Sequence, residues 1–156
     1  MLKRVRRNHA LEHATVAVMI ERGVRPPLGG YSVPTGFFIF AKSSADGVEE
    51  AAEEALSRLR AGQSEMAISP YCGTNLLAGA LIAGLLAGLV LYPRGNRMKR
   101  APLVLLGSVA GALAGRPVGQ ETQRRYTTLP DLGRLEITGV HQLQLGRVRL
   151  FWVGTR

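Results

Sequence analysis

Residues 76–92 read "LLAGALIAGLLAGLVLY", with no charged side chain and no helix breaker other than glycine. With Thr74 and Asn75 in front as caps, the run is about long enough to cross a bilayer as one helix, which takes roughly 20 residues. A second apolar run, 101–115, "APLVLLGSVAGALAG", is shorter and meets Arg116 and Pro117. It reads as a kinked helix extending towards Gln123, with Arg116 snorkelling to the interface. Gly84 and Gly88 in the first run, and Gly107, Gly111 and Gly115 in the second, recur at four-residue spacing. Small residues so spaced let two helices approach closely in lipid. The simpler reading packs the two runs on each other as a transmembrane helical hairpin over 74–118. The alternative packs a Gly-rich face against another subunit, as a homo-oligomer.

The charge pattern agrees with a lipid partner. Twenty Lys and Arg stand against 11 Asp and Glu, a net charge of +9 over 156 residues. Such a surplus suits nucleic acid or an anionic lipid surface. Residues 1–73 carry nine basic and eight acidic side chains, while 93–100, "PRGNRMKR", carries four basic residues and no acid. Residues 116–156 add seven basic against three acidic. The excess therefore borders the most apolar part of the chain, where basic residues meet phospholipid head groups. No helix or repeat interleaves basic with aromatic residues, so nucleic acid is not an expected partner. One cysteine, Cys72, excludes an internal disulfide. The basic start "MLKRVRR" is not followed by a signal-peptide core or cleavage site.

Polar, soluble-looking sequence surrounds the hairpin. Asn8 caps a helix over 8–22 that ends at Gly23 before "VRPP". "GYSVPTGFFIFAK", 30–42, has strand composition with a turn at Pro34–Gly36. Val48, Ala51, Ala52, Ala55, Leu56 and Leu59 follow helical spacing, an amphipathic helix over 46–61 with Asp46 and Glu49 as a capping box. "EMAIS", 65–69, alternates as a short strand. "RLEIT" and "HQLQLGRVRLFWV" alternate as two or three more, turning near Gly139 and Gly146. The expected fold class is α+β: two helices and a short sheet built from 1–73 and 119–156, with the membrane hairpin inserted before the last strands.

The chemistry gathers in "RNHALEHATVAVMIERG", 7–23. His9 and His13 are i and i+4 and share one helix face, with Glu12 in the same broad sector. H-x-x-E-H is the inverted zincin pattern, in which two histidines bind Zn2+ and the glutamate is the general base. The residues after it, "ATVAVMI", are apolar almost all round, as in a buried helix. Ionisable groups on such a helix are costly unless paired or bound. The plainer reading is hydrogen bonding, His9 to Glu12 and His13 to a backbone carbonyl. A third ligand is needed. His141 shares the parity of Leu143 and Leu145 and so points to the buried face of its strand. Cys72, in "SPYCGTN", stands at the mouth of the first membrane helix, whose dipole favours a thiolate. Glu49, Glu50, Glu53 and Glu54 read as the solvated face of the second helix.

"NHALEHATV", then "CGTNLL" about sixty residues on, a membrane hairpin and "QRRYTT.PD" together resemble an uncharacterised family of small bacterial membrane proteins. That family occurs in cyanobacteria and Chloroflexota-like bacteria and is known only as a domain of unknown function. The resemblance runs over most of the chain and marks Asn8, His9, Glu12, His13, Cys72, Gly73, Thr74 and Asn75. It implies a membrane location and supplies no activity.

Three functions compete: a membrane-bound zinc-dependent hydrolase or peptidase, a non-catalytic accessory protein docking on a membrane complex, and Cys72 thiol chemistry with a histidine as base. Burial of Glu12 and the histidines against carbonyl partners favours the second; a water-accessible pocket favours the first. The expected location is the bacterial inner membrane, with both termini cytoplasmic. The basic 93–100 loop argues for the opposite orientation, but exporting that loop is easier than translocating the charged N-terminal domain.

Overall fold

The computed structural model describes residues 1–93, 96–145 and 148–156. The expected turn at Gly146 and the basic Arg94 of the 93–100 loop lie outside the described residues. The chain forms two compact units, one of residues 1–69 with 124–156 and one of residues 70–123.

The first unit is α+β. Its helices are α1 (Leu2–Glu21) and α2 (Ala45–Arg60), and its strands are β1 (Gly29–Val33), β2 (Gly36–Phe40), β3 (Ile137–Leu145) and β4 (Val148–Thr155). The strands form one antiparallel sheet in the order β1-β2-β4-β3. The last strand thus lies between β2 and β3, and the sheet needs sequence from both sides of the intervening unit. Strand side chains alternate between faces. Phe37, Ile39, Phe151 and Val153 turn inward and are fully buried against Leu11, Ala14 and Val18 of α1 and Val48, Ala51, Ala52 and Ala55 of α2. Arg22 bridges Glu50 at 3.0 Å and Glu54 at 2.6 Å, and Arg58 bridges Glu21 at 2.6 Å and also Glu54. Glu50 and Glu54 are therefore paired with arginine across the two helices rather than simply solvated.

Several local expectations are corrected. Helix α1 starts at Leu2, not at Asn8. The basic residues before Asn8 are good helix formers, and three of them find acceptors: Arg4 donates to the carbonyl of Thr155 at 3.4 Å, Arg6 to those of Arg125 and Thr128, each at 3.0 Å, and Arg7 to that of Asp131 at 2.8 Å. The cap of α2 is Ser44, whose hydroxyl accepts from Gly47 N at 3.1 Å, rather than Asp46. Residues 65–69 are no strand. Ser64–Ala67 form a single 3-10 turn, closed by Met66 N to Gln63 O and Ile68 N to Glu65 O. Gly139 is not a turn either but sits within β3, at a bulge between Ile137 and Gly139.

The second unit is a helical hairpin, α3 (Gly73–Leu91) against α4 (Ala101–Thr122), with a π-helical turn Gln123–Thr127 following. Gly111, Gly115 and Gly119 form one ridge of α4 and meet Ala83, Gly79 and Asn75 of α3 in antiparallel order. A Cβ at Gly115 would sit 2.6 Å from Gly79 Cα, so only glycine allows this approach. Gly84 and Gly88, expected at the contact, have nothing within 4 Å. They are off the 75/79/83 row because each residue turns the helix by about 100°. The cap of α3 is Cys72, whose sulfur accepts from Thr74 N at 3.4 Å; the expected caps, Thr74 and Asn75, lie inside the helix. Asn75 donates to Pro70 O at 2.9 Å and accepts from the buried Gln123 amide at 2.8 Å, a polar clamp at the open end of the hairpin.

Gly73–Leu91 and Met98–Thr127 are each long and apolar enough to cross a membrane. Leu77, Leu81, Leu85 and Leu89 of α3 and Leu105, Leu106 and Leu113 of α4 are more than half exposed.

This geometry predicts a cross-link. A Cβ at Gly107 would lie 3.2 Å from Leu86 Cβ, close to the roughly 3.5–4.5 Å of a disulfide. In a Cys72→Ser background, Leu86→Cys with Gly107→Cys forms an intramolecular disulfide on mild oxidation. The control pair Gly84→Cys with Gly107→Cys does not. Non-reducing electrophoresis reads both, and equal cross-linking contradicts the packing.

Candidate metal centre

Two adjacent rows of polar side chains run along α1, and each faces a different part of the first unit. Asn8 and Glu12, one turn apart, meet the sheet. The Asn8 amide donates to Val33 O at 2.7 Å, and its carbonyl oxygen accepts from Thr155 Oγ1 at 2.8 Å. Asn8 is fully buried and ties α1 to the ends of β1 and β4. Glu12 Oε2 accepts from Ser32 Oγ at 2.9 Å. Gly30, two residues earlier on the same face of β1, makes room for the carboxylate: a Cβ there would stand 2.8 Å from Glu12 Cγ and Oε1.

The second row is His9 and His13. His9 Nδ1 lies 3.0 Å from Thr127 O, and His13 Nδ1 lies 2.8 Å from Ala67 O. A carbonyl only accepts, so both Nδ1 atoms carry the proton. In the neutral rings Nε2 then holds the lone pair. This is how metal-binding histidines are oriented, one ring nitrogen bonded to a carbonyl and the other offered to the ion. The rings lie 4.3 Å apart, tilted by 59°, and their candidate ligand atoms fall within 4.8 Å of each other.

Burial decides what the site can do. Glu12 is 5% exposed and His13 4%. Desolvation pushes the Glu12 carboxyl above its ordinary value, outweighing the His9 charge and the Ser32 hydrogen bond, which pull it down.

The expected site residues thus have unequal placements. His9 and His13 are brought together as expected from their spacing, whereas Glu12 stands in the adjacent row against Ser32. His141 is not with them. It is exposed on β3 and paired with Trp152 on the outer face of the sheet. The bulge before Gly139 lets both Ile137 and Val140 pack on the core, which reverses the alternation and turns His141 and Leu143 outward. Cys72 caps α3 and also donates to Thr74 Oγ1 at 3.3 Å. Gly73 and Thr74 form the first turn of α3. Sequence reasoning missed Ser32 and Gly30, although their shared parity in "GGYSV" puts a hydroxyl and a gap on one face. It also missed the Ala67 and Thr127 carbonyls.

A pH dependence follows. Because the folded state raises Glu12 above 4.5, it holds a proton more tightly than the unfolded chain just above that pH. The stability that the protonated carboxyl provides is complete below the unfolded value and is lost as pH rises through the folded one. Glu12→Gln removes this contribution. Thermal melts of the detergent-solubilised protein across that range should show a flatter profile for the variant; an unchanged slope contradicts the burial of a costly carboxylate.

Residues 4–140 match DUF6391, a domain of unknown function. An uncharacterized protein of Picosynechococcus sp. strain PCC 7002 is 33% identical over 135 residues, 80% of this chain. The chain spans 65% of that relative's length. No solved structure matches. With most of its length matched and both helix histidines inside the matched region, the chain belongs to the DUF6391 family.

Proposed function

We propose that the chain is an integral membrane protein of the bacterial inner membrane that binds a divalent metal, with Zn2+ the best fit, in a non-catalytic accessory role. His9 and His13 are the proposed ligands through Nε2, and Cys72, the thiol candidate from the sequence, the third. The observation that carries the reading is the engagement of both Nδ1 atoms with backbone carbonyls, which aligns two Nε2 lone pairs on one helix face. Two nitrogens and a thiolate suit zinc by ligand type. The chain itself keeps the thiol within reach: Ala67, which holds His13, precedes Cys72 by five residues, a span of at most roughly 17 Å. The membrane reading is supported by two helices of sufficient length and apolarity, with leucine exposed on both.

The accessory role is favoured over hydrolysis because Glu12 and His13 are buried and already have partners. One observation favours the hydrolase as a second reading: burial raises Glu12 towards the range of a general base. The docking partner in the accessory reading is a membrane complex.

Purified full-length protein offered zinc should hold about one ion per chain by elemental analysis, and His13→Ala should lose it. Glu12→Gln should keep the metal. With cobalt in place of zinc, a thiolate-to-metal charge-transfer band should appear and vanish in Cys72→Ser. Protein that stays metal-free overturns the reading. Peptide or ester hydrolysis abolished by Glu12→Gln moves it to the hydrolase.

Both termini are proposed to be cytoplasmic. Cysteine labelling of intact cells, in a Cys72→Ser background, tests this: Asn96→Cys should label from outside and Ser57→Cys should not. The reverse pattern overturns the orientation.

A further inference from the structure

The outer face of the four-stranded sheet, opposite α1 and α2, is not used by the metal centre. The register aligns Tyr31, Phe38, Trp152 and His141 in one row across all four strands. The next row is Gly29, Phe40, Leu150 and Leu143. Paired residues share a face, so the two rows form one surface. Tyr31 is 70% exposed, and Phe40 and Leu143 are also exposed. The Phe38 and Trp152 rings pack at a 52° tilt with centroids 4.7 Å apart, an apolar centre with the Trp152 indole and the Tyr31 phenol as polar handles.

We propose that this face seats on an anionic phospholipid surface. The proposal rests on the membrane reading above, because insertion of the hairpin keeps the first unit tethered beside the bilayer. Charge favours lipid as the occupant. The four strands contain no aspartate or glutamate, and the exposed Lys42 follows Phe40 by two residues at the Phe40–Leu150 end of the sheet. Tyrosine and tryptophan are enriched where a protein meets the head-group layer, and nearby basic residues are drawn to anionic lipid.

Trp152 is the only tryptophan in the chain, so its fluorescence reports this face alone. Full-length protein is reconstituted in phosphatidylcholine vesicles containing phosphatidylglycerol, with lipids brominated either near the head group or deep in the chains. The expected result is a blue shift relative to detergent and quenching by the shallow bromines more than by the deep ones. Lys42→Glu should weaken that quenching, as should high salt. A bimane probe at Leu85→Cys, in a Cys72→Ser background, monitors the hairpin in the same vesicles. Trp152 open to aqueous iodide while the Leu85 probe is quenched by deep bromines overturns the lipid contact but leaves the membrane reading. Trp152 shielded from iodide yet unquenched by lipid means that protein covers the face, and also overturns it. An unquenched Leu85 probe removes the membrane reading and the proposal together.

Discussion

The structure depends on how one helix accommodates four polar side chains, three of them buried and His9 half-buried. Buried polar groups without partners cost free energy of the order of 1–3 kcal/mol each, and α1 places Asn8, His9, Glu12 and His13 on adjoining faces. Each finds a partner from a distant part of the chain: Val33 and Thr155 for Asn8, Ser32 for Glu12, Thr127 for His9, Ala67 for His13. The helix therefore holds β1, β4, the 64–67 turn and the segment after the hairpin in one unit. It also explains why both histidines are fixed in one tautomer, the condition a metal site needs.

The hairpin solves a different problem with different residues. It has little polarity to satisfy and relies on close backbone approach, given by Gly79 against Gly111 and Gly115. One polar cluster, Asn75 with Gln123 and the Pro70 carbonyl, sits at the end where the chain enters and leaves, and at the other end Arg100 donates to the Val90 and Pro93 carbonyls. In lipid, where apolar side chains gain little by meeting each other, such small-residue ridges and polar clamps are the expected means of association.

Much of this was legible in the sequence, for physical reasons that differ by element. Helix α2 was plain because its apolar residues alone follow a helical period, and the hairpin because nothing but a buried or lipid-covered helix reads "LLAGALIAGLLAGLVLY". The start of α1 was hidden because its first two turns are basic and show no apolar period; their partners are carbonyls more than a hundred residues away. The 65–69 alternation misled because five residues can alternate without a neighbouring strand. His141 was misplaced because the row it shares with Leu143 was read as buried: the shared parity held, but that row faces outward and Leu143 is itself exposed. The pairing of His9 and His13 was readable from spacing, whereas Ser32 and the two carbonyls that orient the site belong to the tertiary fold.

The central proposal is that the two preset imidazole nitrogens of α1 bind a metal together with the Cys72 thiolate. X-ray absorption at the zinc edge on the purified full-length protein tests it most directly. The account predicts nitrogen scatterers at about 2.0–2.1 Å and one sulfur at about 2.3 Å, with the sulfur lost in Cys72→Ser. A zinc shell of oxygen and nitrogen alone in the unaltered protein would contradict it.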